Sequence, residues 1–175
     1  MEALDVCKGQ GIVHRLDKNT SGLMVIARNE KAQKYLVEQL QSHSVEREYS
    51  AIVYGHMIAG GTVDEPIGRD PRDRVKQAVL SSGKDALTHY RAIDRFKSHT
   101  HVKAILETGR THQIRVHLSH VGHSLIGDPM YGGRVRFPKK ASVELKDALL
   151  NFKRQALHSK KLTLTHPISG ELMSW

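Results

Sequence analysis

Apolar positions fall in short runs whose spacing changes along the chain. Residues 12–13 and 23–27 are apolar and flank a polar centre, His14 to Gly22. Thr20, Ser21 and Gly22 favour turns, so this stretch predicts strand, polar turn, strand. Such a turn lifts Asp17 to the edge of a sheet. Asn29 is a helix-capping residue before residues 30–42, where Ala32, Tyr35, Leu36 and Leu40 share one face and Lys31, Lys34, Glu38 and Gln41 face water. Residues 47–55 alternate as a strand, with Tyr49, Ala51 and Val53 on one side and Ser50, Ile52 and Tyr54 on the other. Short strands are predicted at 62–67 and 75–80 around the polar tip GRDPRDR, and a hairpin from 86–96 and 100–108.

Residues 109–122 switch to helical spacing. Ile114, Leu118 and Val121 form the buried stripe, Gly122 is the stop, and His112, Arg115 and Ser119 lie on another face. A loop rich in Gly, Pro and cations follows over 123–140. A helix is expected at 143–152, with Leu145, Ala148, Leu149 and Phe152 turned inward. A strand is expected at 156–165, then the turn HPISG. Several antiparallel strands with helices packed on them imply an α+β class.

Charge narrows the partners. Of 175 residues, 27 are Lys or Arg and 18 Asp or Glu, giving +9 and a pI near 9.8. A domain this basic favours a polyanion, with nucleic acid the usual one. Nine Lys or Arg lie between Arg134 and Lys161, beside Tyr131 and Phe137. That cluster reads either as an RNA-facing surface or as a solvated face. No apolar run is long enough to cross a bilayer and no acylation signal stands out, so no membrane partner is expected and the location is read as cytoplasmic. Cys7 is the one cysteine, which allows no internal disulfide and suits a reducing compartment. The chain holds 12 His, and His112, His117, His120 and His123 crowd one segment. That crowding raises a zinc-dependent hydrolase as a further reading. No H-E-x-x-H or C-x-x-C is present and His112 and His117 share no helix face, so no metal is expected.

Asp17 between Arg15 and Lys18 is, on composition alone, a turn residue bonding its own backbone. Three segments say more. HRLDKNTSGLMVIA is similar to the HRLD-x-x-TSG-L signature of the RluA-type pseudouridine synthases, REYSAIVYG to their K/R-x-Y-x-A-x-V-x-G strand, and GRTHQIRVH to their G-R-x-H-Q-I-R-x-H motif. GHMIAGGTVDEPI and ALHSKKLTLTHPISG resemble the RluD type, which modifies large-subunit (23S) ribosomal RNA. The loop holds a similar G-D-x-x-Y-G segment. The resemblance implies a pseudouridine synthase fold: a mixed, largely antiparallel sheet with packed helices around a central catalytic cleft. Asp17 is then the catalytic carboxylate, Arg115 its basic partner, and Tyr49 the ring over the target base. Arg15 fills the gap left by a flipped nucleotide or holds that nucleotide, and His14, Thr20, Arg110, His112 and Gln113 bind substrate RNA. No cofactor is implied and a monomer is expected. Against that family only ten residues precede Gly11, and the chain stops at Trp175. The expectation is a single catalytic domain over 1–175, truncated at both ends and without the S4-like RNA-binding domain. Transfer RNA as substrate, or RNA binding without catalysis, remain the alternatives.

Overall fold

The computed structural model describes residues 11–175; residues 1–10, Cys7 among them, lie outside the described part. Within it the chain runs β1 (Ser21–Gly22), α1 (Glu30–Gln41), β2 (Glu46–Tyr54), β3 (Gly61–Asp64), β4 (Ile67–Arg69), β5 (Gln77–Val79), β6 (Leu87–Arg95), β7 (His99–Leu106), α2 (Gln113–His120), α3 (Val143–Asn151), β8 (Leu157–Thr165) and β9 (Leu172–Ser174). The main sheet has the order β1-β8-β2-β7-β6-β3, with β9 on β8; β4 and β5 pair as a separate hairpin. Only β1 and β8 run parallel, so the α+β, largely antiparallel expectation holds.

The alternation read at 47–55 and the hairpin at 86–108 are the centre of this sheet. Tyr49, Ala51 and Val53 of β2 pack with Val102 and Ala104 of β7, and Ile114 and Leu118 of α2 close over them with Leu125 and Leu157. Such tight apolar packing is what makes β2 a fixed platform. Asn29 caps α1 as expected, its Oδ1 accepting from the Ala32 amide at 2.8 Å. Tyr35, however, is exposed and Gln39 takes the buried place. The Gln39 amide donates to the Thr165 carbonyl and accepts from the Thr165 amide, both at 2.8 Å, so a polar side chain acts as a ladder partner for the end of β8.

Three further expectations change. The stretch at 11–29 pairs with itself at one bridge, Ile12 with Ile26, and residues 23–27 are not a strand. The residues read as turn, Ser21 and Gly22, instead pair with His158 and Ser159 of β8. Gly22 makes this approach, since a Cβ there would lie 2.2 Å from the Ser159 carbonyl oxygen, and its φ is +109°. In α3 only Leu149 is buried; Ala148 is exposed, and Leu145 is exposed on an open groove that it lines with Ile52 and Phe96. In α2 burial extends from Gln113 to Leu118 on all sides, so Arg115 is not on a solvent face.

Candidate active site

The turn that carries Asp17 is closed by its own backbone, the Thr20 amide donating to the Asp17 carbonyl at 2.9 Å. Gln155, fully buried, then clamps it: Nε2 donates to the Lys18 carbonyl at 2.7 Å and to the Thr20 hydroxyl at 3.0 Å. On the other limb, His14 Nε2 accepts from the Val25 amide at 3.0 Å. Burial, helped by the charge of Arg47, holds the His14 pKa below the ordinary imidazole value, so the ring is the neutral acceptor this bond requires. Asp17 thus sits on a braced turn with 17% of its side chain open to solvent.

Arg115 reaches Asp17 from α2. Nη1 donates to Asp17 Oδ2 at 3.2 Å, while Nε and Nη2 bind Asp128 in a fork at 2.7 and 3.0 Å. Asp128 has no exposed side-chain surface, and it also accepts from the Met130 and Tyr131 amides at 2.8 and 3.0 Å. The Tyr131 ring lies under the guanidinium, 5.0 Å from Cζ to ring centre. Burial works against the charge on Arg115, but the hydrogen bonds and charges of Asp128 and then Asp17 outweigh it and its pKa rises. Burial alone would likewise raise the Asp128 pKa; the bonds from Arg115 and the two amides more than offset this and hold it below the usual carboxylate value. Asp128 fixes the fork so that the Nη1 side of the guanidinium is turned to Asp17. In the sequence Asp128 stands only as part of the GDPMYG segment; the signal for its role is that a charged side chain on a buried helix needs a buried anion.

A cleft of about 540 Å³ opens over Asp17, lined by Arg15, Arg47, Tyr49, Arg110 and His112 among others. Tyr49 is buried on β2 opposite Ser159, where the ladder with β8 shifts by one residue: Lys160 of β8 is the extra residue, and β2 itself alternates without a break against β7. Burial pushes its phenol above the ordinary value, while the Arg47 charge and a hydrogen bond with Ser159 pull the other way. Arg15 is exposed at the rim and makes no ion pair with Asp17. Arg110 lines the cleft with Nε donating to the Asp85 carbonyl at 2.9 Å. His112 holds a left-handed conformation, φ 58°, before α2, with Nδ1 2.9 Å from the Tyr131 hydroxyl.

The structure therefore brings Asp17, Tyr49 and Arg115 together, with Arg15, Arg110 and His112 around them. It gives three others structural work. Gln113 donates to the Leu87 carbonyl and the Thr88 hydroxyl and accepts from Thr108 and the Arg110 amide, which uses its whole amide. Thr20 and His14 line the cleft, but their polar atoms named above hold the turn. The four crowded histidines separate: His117 is buried between Thr88 and the Glu65 carbonyl, and His123 meets the Tyr54 carbonyl. Among the described residues no three His, Cys, Asp or Glu side chains gather as a metal site.

The sequence profile of the RNA pseudouridylate synthases matches residues 4–120. The chain belongs to this family. Within it, the ribosomal large subunit pseudouridine synthase D of Escherichia coli is 58% identical over 94% of the chain, and that of Pseudomonas aeruginosa 56% over 94%. The chain spans about half the length of these relatives, 51% and 52%. Two solved family members share the fold. Human RNA pseudouridylate synthase domain containing 1 superposes with a TM-score of 0.75 at 26% identity, covering 93% of this chain and 66% of its own. The domain-containing 4 protein gives 0.72 at 28%, covering 93% and 69%. The pseudouridine synthase fold and its central cleft are thus as the three motifs implied.

Proposed function

We propose that residues 1–175 form a catalytic domain that isomerises uridine to pseudouridine in RNA, with large-subunit ribosomal RNA as substrate. The observation that carries this is one carboxylate, Asp17, held by Arg115 at 3.2 Å at the edge of a cleft that also contains Tyr49. The names of the bacterial relatives support the ribosomal substrate.

The reaction breaks the C1′–N1 bond of uridine, turns the uracil and joins C5 to C1′. It is redox-neutral and needs no cofactor. Asp17 either bonds to C1′ or takes the C2′ proton to give a glycal, and Arg115 holds it in place for that step. Tyr49 stacks on the detached ring and helps remove the C5 proton. Burial keeps its phenol protonated at neutral pH, so the hydroxyl relays the C5 proton to water instead of holding it, and loss of that proton restores conjugation in the ring. A stacked uridine has to swing out first, at a cost of a few kcal/mol. Arg15, exposed at the rim, holds the flipped nucleotide or fills its place, and the basic surface supplies salt-dependent affinity.

The deciding experiment uses large-subunit ribosomal RNA tritiated at uracil C5. Tritium release is expected in proportion to the uridines converted; binding without release would leave an RNA-binding domain only. Tyr49→Phe keeps the ring and loses the hydroxyl. We expect RNA affinity within about twofold of the parent and tritium release slower by about 10²-fold. Parent-like release would remove the proton-transfer role.

A further inference from the structure

We propose that Arg47 is the cation that holds the departing uracil, its guanidinium donating to the ring oxygen on which negative charge collects as the C1′–N1 bond breaks. This rests on the isomerase reading above and adds a residue to it.

Arg47 lies on β2 two positions before Tyr49, so the two side chains leave the strand on one face, and both line the cleft. It is 6% exposed. Its Nη2 donates to the Glu107 carbonyl at 2.9 Å, but Nε is buried with no acceptor. Among the described residues no carboxylate pairs with it, whereas Arg115 has two. A buried charged donor left open costs stability and calls for an explanation. The guanidinium lies close against Gly109: a Cβ there would sit 2.7 Å from Arg47 Nη1, so a larger residue would displace the side-chain end.

Charge bookkeeping points to the base. When C1′–N1 breaks, the electron pair leaves with uracil and spreads from N1 onto O2 and O4. Asp17 gives up its charge by bonding C1′, or by taking the C2′ proton, so the negative charge moves to the uracil. Arg115 is tied in place by its bonds to Asp17 and Asp128, so its charge stays with those carboxylates. The phosphates of the strand meet exposed cations at the rim, Arg15 and Arg110. Arg47 is buried on the same face as Tyr49, the ring that covers the base. When C5 bonds to C1′ and loses its proton, the charge on the uracil is discharged and Asp17 is returned.

The test compares transcripts of the ribosomal RNA made with uridine or with 5-fluorouridine, under single turnover, reading loss of the intact N-glycoside after nuclease digestion. Fluorine stabilises the detached anion, so a group that does the same job matters less with it. Arg47→Gln is expected to slow cleavage of uridine by about 10²-fold and of 5-fluorouridine by less than about tenfold. Arg47→Lys should lie between Arg47→Gln and the parent. Gly109→Ala, which leaves Arg47 in the chain and displaces its guanidinium, should show the same substrate dependence with an unchanged thermal melt. Equal losses on both RNAs, or none, would overturn the proposal. A parent that cleaves neither RNA would instead remove the isomerase reading.

Discussion

Asp17→Asn is expected to lower tritium release by at least about 10³-fold, the loss typical of a removed nucleophile or base. The fold should survive. The turn is closed through the Asp17 carbonyl, not its side chain, and Gln155 clamps it through Lys18 and Thr20. Asparagine keeps the shape and an oxygen for Arg115 Nη1, and Arg115 keeps both bonds to Asp128. What is lost is the charge that bonds C1′ or takes the C2′ proton. A thermal melt within a few degrees of the parent beside absent release would assign the defect to chemistry. Release within about tenfold of the parent would remove Asp17 from the reacting atoms.

What could be read from the sequence had a local signal. Asn29 caps α1 because its side chain meets an amide three residues on, and β2 shows its buried face by alternation. The positions of Asp17, Tyr49 and Arg115 came from motifs; the cleft that Asp17 and Tyr49 share, and the bond from Arg115 to Asp17, are formed by elements far apart in the chain. The misses share a cause. Gln39, Gln113 and Gln155 are polar and buried, each tying distant backbone together, and hydropathy counts them as surface. The motif implies a substrate contact for Gln113, yet its amide has no free capacity. The docking of Ser21–Gly22 on β8 depends on a close approach that no window of sequence contains.

Asp128 is where the same physics has its largest effect on stability. Asp128→Ala leaves the buried Arg115 cation facing a cavity and strips the Met130 and Tyr131 amides of their acceptor. Breaking a buried pair in this way costs about 3–5 kcal/mol, which urea unfolding at pH 7 would measure. Activity should fall as well, because the guanidinium loses the fork that aims Nη1 at Asp17. The pH dependence gives an independent reading. The folded-state pKa of Asp128 lies below its ordinary value of 3.8, because the Arg115 and amide bonds outweigh burial. A depressed carboxylate contributes stability that is complete above the unfolded-state value. That contribution is lost as pH falls from near 3.8 through the lower folded-state value. Asp128→Asn cannot titrate, so its unfolding free energy should decline less steeply than the parent's between pH 5 and pH 2. Parallel declines in the two proteins would mean that the buried carboxylate is not held ionised by Arg115, and that the orientation of Arg115 toward Asp17 has another source.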